Sequence, residues 1–373
     1  MTADRQKIKI LFSVTDFAVA GAQRLIADEL NHLDGSRYEL ALLTLFSLDG
    51  KNTLFDLIPA HVKVYQLDFK SFRDLRNWFR VFKVLREYRP AIILSHLFFS
   101  NTVLRVLKPF FRYRIIVYEH NTYINKTKWQ KLADKILSYL TYKIVAVAQT
   151  VKDFTARQEG INGQKFVVIP DSINYQAIRA AIGGRPQAEL KQKLGLNQED
   201  KFVINAARLN WQKNQRLLID SFAEFGAKNS GYKLIILGEG PQLSSLQAHA
   251  ETLHIGGKVL LLGCQRNVFD YLAAAEFFVL TSKIEGFGIA CIEAMAAGLP
   301  VVSTNVAGPD EYIVDGFNGY LVKSEGKKEI AAAMQKIVER GRDYFSENCR
   351  KTAERYDIKQ HLEKLTTLID QAL

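Results

Sequence analysis

The sequence predicts an α/β protein built from two doubly wound domains, each a parallel sheet with helices on both faces. Three observations predict it. Short runs of Val, Ile, Leu and Phe recur along the 373 residues without the alternation of a strand that has one wet face, which marks strands covered on both sides. Between these runs lie longer segments with helical spacing of apolar residues, and strand–helix alternation builds parallel sheets. The chain, 48% hydrophobic, is longer than one core organises, about 250–300 residues, so two domains of about 170–190 residues are expected.

In chain order, the first half offers seven strands: KIKILFSV, ELALLTLF, VKVYQLD, AIILSH, RIIVYEHN, KIVAVAQ and KFVVIP. The pattern breaks at IPDSINYQAIRAAIGGRPQ, where Pro170, the Gly183–Gly184 pair and Pro186 punctuate it. That places one domain over 1–172 and the next from 173. Six more strands follow: KFVINAAR, KLIILGEG, KVLLLG, FFVLTS, LPVVST and GYLVK. From about Ile358 the chain ends in a polar-faced helix. No fixed-period repeat and no low-complexity tract interrupts this order.

Composition narrows the function classes. Cys264, Cys291 and Cys349 have no ligand or disulfide spacing and fit a reducing compartment. The start, MTADRQKIKILFSV, has too short an apolar run for a signal peptide. No window reaches the ~18 apolar residues of a spanning helix, so a cytoplasmic protein is expected. The formal net charge is +11, and residues 1–170 hold 26 Lys/Arg against 15 Asp/Glu while residues 171–373 hold 24 of each. The whole excess sits in the first half, which points to an anionic partner there or to a solubilising surface. The segment SFRDLRNWFRVFKVLREYR, residues 71–89, is expected to form one helix. Arg73, Arg76, Arg80 and Lys83 would lie on one arc and Leu75, Trp78, Val81, Phe82, Leu85 and Tyr88 on the opposite side. With a second basic cluster at Arg105, Lys108, Arg112 and Arg114, it is a candidate for peripheral attachment to an anionic inner leaflet. Nothing resembles a nucleic-acid platform, and no nucleic-acid partner is expected.

In open α/β sheets ligands collect at the carboxyl ends of strands. There the second half carries Arg208 and, before a helix, Lys213, a guanidinium and an ammonium suited to phosphate oxygens. Gly238-Glu239-Gly240 ends the next strand, its glycines allowing close approach of backbone to a ligand. Then comes Lys283-Ile284-Glu285-Gly286-Phe287-Gly288-Ile289 and an Ala-rich helix stopped at Gly298. Gly286 and Gly288 form a tight turn at a helix N-terminus, where unsatisfied N–H groups and the dipole attract a diphosphate. Glu285 sits at that turn, and Glu293 eight residues on reaches a neighbouring part of the same ligand, where a carboxylate suits a vicinal diol. Taken singly, the two are also what a capping acid and a solvated helix acid look like. In the first half His120, just past RIIVYE, is placed to bond a sugar hydroxyl or move a proton, and His96, ending AIILSH, has the same position with a weaker claim. Gly21 opens a helix after the first strand with spacing unlike a nicotinamide fingerprint. No Asp-x-Asp follows a strand and no His/Cys cluster has ligand spacing, so no metal or other cofactor is expected.

Glu285-Gly-Phe-Gly-Ile-Ala-Cys-Ile-Glu293, followed by Ala-Met-Ala-Ala-Gly-Leu-Pro-Val-Val, resembles the E-x7-E signature of retaining GT-B glycosyltransferases of the family 4-like type. The likeness is specific over 201–322 and looser over the first half. It implies two Rossmann-like domains facing across a cleft, with the final helix, 358–373, crossing back to the first domain, so that the second spans 173–357. It implies transfer from a nucleoside-diphosphate sugar, UDP-linked, to a lipid-linked or cell-envelope saccharide, with retention and no bound metal. On this resemblance Glu285 contacts the donor sugar, and Phe287, Gly288 and Ile289 present backbone to sugar and diphosphate. Glu293 holds the ribose, and Arg208 and Lys213 the diphosphate. Glu239 and Gly240 lie at the nucleotide-domain turn, while Leu262, Gly263, Asn267 and Val268 read the base edge by backbone. His120 matches a histidine that touches the transferred sugar, and Gly21, with His96, lies on the acceptor side.

Three stretches depart from the pattern. The first loop has Ala20-Gly21 for Gly-Gly, and the link reads Pro170-Asp171-Ser172-Ile173-Asn174 for Pro-Asn-Gly-hydrophobic-Asp. The later Gly-Gly-x-x-Glu reads Ala307-Gly308-Pro309-Asp310-Glu311. Two rivals are a sugar-nucleotide 2-epimerase or hydrolase on the same fold, which needs no acceptor, and a non-catalytic protein that binds an anionic ligand.

Overall fold

The computed structural model describes residues 7–48, 53–323 and 326–373. The chain divides into two compact units, residues 1–172 with 358–373, and residues 173–357. All thirteen apolar runs form strands, with ends that differ from the runs by one to four residues.

The first unit holds β1 (Ile8–Val14), β2 (Tyr38–Thr44), β3 (Lys63–Gln66), β4 (Ile92–His96), β5 (Arg114–Glu119), β6 (Lys143–Ala146) and β7 (Phe166–Val168). They form one parallel sheet in the order β3-β2-β1-β4-β5-β6-β7. The helices between them are α1 (Gly21–His32), α2 (Leu75–Tyr88), α3 (Phe98–Leu107), α4 (Lys128–Leu137) and α5 (Gln149–Glu159). A core of Ile10, Phe12, Leu40, Leu42 and Ile92 from the sheet meets Ile26 and Leu30 of α1 and Leu365, Leu368 and Ile369 of the C-terminal helix, Ile358–Ala372. That helix packs on α1. Burial of its apolar face against this core fixes it here.

The second unit repeats the winding: β8 (Lys201–Ala206), β9 (Tyr232–Leu237), β10 (Val259–Leu261), β11 (Phe277–Leu280), β12 (Val301–Thr304) and β13 (Gly319–Val322), in the order β10-β9-β8-β11-β12-β13, all parallel. Its helices are α6 (Tyr175–Ile182), α7 (Gln187–Lys193), α8 (Gln215–Gly226), α9 (Leu243–Thr252), α10 (Val268–Ala274), α11 (Ile289–Ala296), α12 (Pro309–Tyr312), α13 (Lys327–Arg340) and α14 (Arg342–Glu354). In both sheets the order reverses beside the first strand, between β1 and β4 and between β8 and β11, and such switch points are where open α/β sheets take ligands.

Two expectations are corrected. The helix expected over 71–89 spans Leu75–Tyr88, because the Asp74 side chain accepts from the Asn77 amide and caps it, and Arg89 ends it in the left-handed region. Arg73 therefore lies in the preceding turn. Arg76, Arg80 and Lys83 are exposed on α2, but so are Leu75 and Phe79, at 69% and 75%; the buried row is Asn77, Val81, Val84, Leu85 and Tyr88. The second basic cluster loses Arg105. Its guanidinium is buried, with Nε donating to the Asn101 carbonyl at 2.9 Å and Nη2 to Asp134 at 2.5 Å. Arg105 neutralises a buried acid and takes no part in the surface charge. Among the described residues no helix is long and apolar enough to cross a membrane.

Candidate functional site

In the second unit the predicted residues gather where β8 and β11 end. Beyond Ala206 the chain makes a tight loop, Arg208–Asn214, that several side chains brace. Gln215, fully buried at the start of α8, donates Nε2 to the Arg208 carbonyl at 2.9 Å. Thr281, just past β11, donates to the Asn214 carbonyl at 3.0 Å. The Lys283 amide donates to the Gln212 carbonyl at 2.8 Å, and Gln212 Nε2 returns a bond to the Ile284 carbonyl at 3.0 Å. These bonds tie the two strand ends into one rigid floor.

On that floor Glu285 and Lys213 form a 2.5 Å ion pair, and the Ser282 hydroxyl donates to the same carboxylate oxygen at 2.7 Å. Glu285 is buried and Lys213 part-buried. Three residues past Glu285, Gly288 caps α11 at its first turn, where the leading amides of a helix have no partners within it. Gly288, at φ 74°, makes that turn in a conformation that favours glycine. The Tyr312 hydroxyl donates toward the Phe287 and Gly288 carbonyls at 2.9 and 3.1 Å, so the turn presents its amide side. A Cβ on Gly308 would stand 2.4 Å from Phe287 Cα, so only glycine lets that backbone pack here. The arrangement brings the ammonium of one strand-end loop against the carboxylate of the next, three residues ahead of the helix that Gly288 opens, which suits an anionic ligand with a developing cation beside it.

The remaining predicted residues take varied places. Arg208 is exposed, and no side-chain partner of its guanidinium appears among the described residues. Glu239 and Gly240 are exposed on a turn that packs backbone to backbone; a Cβ on Gly238 (φ 134°) would meet the Ala207 carbonyl oxygen at 2.0 Å. Leu262 has its amide on the Ile236 carbonyl and its own carbonyl on Gln265 Nε2. That leaves Leu262 little free backbone, whereas Asn267 and Val268 open α10. The Phe287 ring is buried against Tyr312 and Tyr356, so only its backbone is available. Ile289 begins α11 and Glu293 is half-buried on it.

In the first unit His96 ends β4 and is wholly buried, so it cannot touch a ligand directly. Its Nδ1 lies 2.9 Å from His120 Nε2, and its ring stacks on Tyr118. Burial, with His120 and His361 nearby, holds its pKa well below the ordinary histidine value, so it stays neutral. His120 Nδ1 faces Asp171 at 3.6 Å. Both ring nitrogens of His120 are thus turned to protein, and a hydrogen bond from this ring to a sugar requires one of these positions to be given up. Gly21 is exposed at the start of α1, where no side chain caps the helix, and Gln23 braces the preceding loop on Asp16.

Sequence reasoning missed how far this histidine group extends. His361, on the C-terminal helix, contacts the Pro170 carbonyl through Nδ1 at 2.8 Å and Glu29 through Nε2 at 2.7 Å. A lone His on an amphipathic helix gives no sign of partners that distant in the chain. Both neighbours are acceptors, so the ring holds both protons. Burial alone would lower its pKa, but the Glu29 bond and charge, with the Pro170 carbonyl, raise it above the ordinary value. A raised histidine value stabilises the fold fully below the unfolded value, about 6.5, and the contribution is lost as pH rises through the folded value. The stability margin of the parent over the double variant Glu29→Gln/His361→Asn is therefore expected to shrink between pH 6 and pH 9, by roughly 1.4 kcal/mol per unit of elevation. Denaturant melts at three pH values measure it; a margin that grows with pH would mean a neutral ring.

Among the described residues no three His, Cys, Asp or Glu side chains are grouped to hold a metal ion.

Comparison with known proteins finds two family matches that together span most of the chain. Residues 19–176 match the family described as Glycosyltransferase Family 4, and residues 186–355 the one described as Glycosyl transferases group 1. The UDP-Gal:alpha-D-GlcNAc-diphosphoundecaprenol alpha-1,3-galactosyltransferase of Escherichia coli is 22% identical over 99% of this chain and 98% of its own. The N-acetylgalactosamine-N,N'-diacetylbacillosaminyl-diphospho-undecaprenol 4-alpha-N-acetylgalactosaminyltransferase of Campylobacter jejuni is 35% identical over 38% of each chain. Among solved structures, Anabaena HepE in complex with UDP has the same fold, with a TM-score of 0.81 and 20% identity over 98% of this chain and 100% of its own.

Proposed function

Because the chain belongs to the GT-B glycosyltransferases of the family 4-like type, we propose that it transfers a sugar from a UDP-sugar to a lipid-linked or envelope saccharide with retention at the anomeric carbon. The observation that carries this reading is the Glu285–Lys213 pair at the switch point, at the turn that opens α11. In the reaction the bond between C1 and the diphosphate oxygen breaks, and the acceptor oxygen joins C1 on the same face. The acceptor proton passes to the departing phosphate oxygen. Lys213, Arg208 and the α11 amides absorb the charge of the leaving diphosphate, so no metal is needed. Glu285 faces the positive charge that develops at C1, a contact stronger in the transition state than in the ground state. Glu293 takes the ribose diol and the Gly238–Gly240 turn lies along the nucleotide, while His120 and Gly21 serve the sugar and acceptor side.

The names of two relatives support the choice of substrates. Both act on diphosphoundecaprenol-linked saccharides and both carry an alpha designation, one with a UDP-sugar donor. A screen of UDP-, GDP- and ADP-hexoses for release of nucleotide identifies the donor. Proton NMR of the transfer product with that donor tests retention: an α-donor should give an α-linked product, and a β-linked product would overturn the reading.

A further inference from the structure

The longest exposed apolar stripe on the described residues lies on α4 and the turn after it, and not on α2. Trp129, Leu132, Ile136 and Tyr139 are 80%, 46%, 56% and 78% exposed. Their spacing of three, four and three residues puts them on one face, about 15 Å long at the rise of a helix. The helix is turned inside out: the one fully buried residue of α4 is Asp134, bonded to Arg105 and Lys126. A polar anchor holds α4 to the domain while its apolar face looks outward, and this inversion has no folding rationale of its own.

The charges around the stripe say what covers it. Lys128 and Lys135 are exposed on α4, and Lys131 is part-buried. At the C-terminal end of the helix Tyr139 and Leu140 wall a cavity of about 590 Å³ that also takes Lys108, Arg114 and Lys165 and has no carboxylate in its lining. From 124 to 140 the only acid is Asp134, which is buried. A second copy of the chain would meet this patch with the same cations across a two-fold, whereas an anionic bilayer supplies both hydrocarbon and negative charge. Trp and Tyr at the two ends suit the headgroup level.

We propose that α4 is the element that seats this enzyme on an anionic membrane surface, lying in the interface with Trp129, Ile136 and Tyr139 inserted and lipid phosphates at the Lys108–Arg114–Lys165 cavity. The inference rests on the reading of a lipid-linked acceptor and replaces α2 as the principal contact. Each Lys or Arg near such a surface strengthens binding about fivefold.

The test is co-sedimentation of the full chain with vesicles of phosphatidylcholine alone or with 30% phosphatidylglycerol. The parent should bind only the anionic vesicles. Trp129→Ser/Ile136→Ser/Tyr139→Ser should weaken that binding at least tenfold, and Lys131→Glu/Lys135→Glu to a similar degree, more than Arg76→Glu/Arg80→Glu does. The replaced apolar side chains are mostly exposed, so unchanged melting temperatures are expected and confirm folding. Trp129 emission should shift to the blue on anionic vesicles, read as the difference between the parent and Trp129→Phe. Full binding by the α4 triple variant, or loss only in the α2 variant, overturns the inference. So does a stable dimer in sedimentation that the triple variant splits. Transfer to a lipid-linked acceptor dissolved in detergent separates the two readings. It should be retained in the triple variant, and failure of the parent itself, with vesicle binding intact, would instead reject the acceptor.

Discussion

Glu285→Gln is expected to lower kcat by about 10²–10³, roughly 3–4 kcal/mol of barrier, while the affinity for UDP holds or tightens. Glutamine keeps the shape of the side chain and an acceptor for the Ser282 hydroxyl, which stands 2.7 Å from the carboxylate. It removes the charge that faces the anomeric carbon in the proposed reaction. It also leaves the Lys213 ammonium, now held at 2.5 Å by Glu285, with a neutral partner, and so freer for phosphate. The two effects have opposite signs on catalysis and on nucleotide binding, which a merely structural acid would not produce. Steady-state kinetics with a folded variant decide it, and an unchanged kcat would remove Glu285 from the chemistry.

Asp134→Ala is expected to destabilise the first unit by about 3–5 kcal/mol, lowering its melting temperature by roughly 10–15 °C. Asp134 lies between two cations, Arg105 at 2.5 Å and Lys126 at 2.9 Å, all three buried. Removing it strands Arg105, whose remaining bond is to the Asn101 carbonyl. Lys126 keeps Glu159 at 2.5 Å and Glu119 at 3.7 Å. Burial, and then the charge of Glu119, push the Glu159 carboxyl up to about 7. That value lies above the unfolded one of 4.5, so the folded chain holds the extra proton between the two, and this group's contribution falls as pH rises through that window. Arg105→Met with Asp134→Leu removes both charges and should cost clearly less than Asp134→Ala alone. Thermal melts of the two variants check this, and equal losses would mean that lost packing governs the cost.

Strands and winding were legible because buried parallel strands are bare apolar runs, and each run met its neighbours in the predicted class of sheet. The turn at Glu285 was legible because Gly-Phe-Gly between an acid and an Ala-rich helix has few other uses. What stayed hidden depends on partners far apart in sequence. Arg105 looks like a surface cation until Asp134, twenty-nine residues on, is seen beneath it. Lys213 was assigned to phosphate and Glu285 to sugar without a sign that they bind each other. Leu75 falls outside the buried side of α2 because that side centres on Val81, Val84 and Tyr88, and Leu75 lies at the margin of the apolar arc, about 120° round the helix from Val81. The outward face of α4 was missed because an apolar stripe at helical spacing ordinarily marks the core.

The central claim is that the turn joining β11 to α11, with Lys213 beside it, holds the nucleotide diphosphate. Titration calorimetry of UDP into the parent and into Lys213→Ala, both in EDTA, tests it most directly. The account predicts that the parent binds UDP with an affinity untouched by EDTA and that Lys213→Ala binds at least tenfold more weakly, a loss of about 1.4 kcal/mol or more. Equal affinity in the two proteins, or binding by the parent that EDTA abolishes, would contradict it.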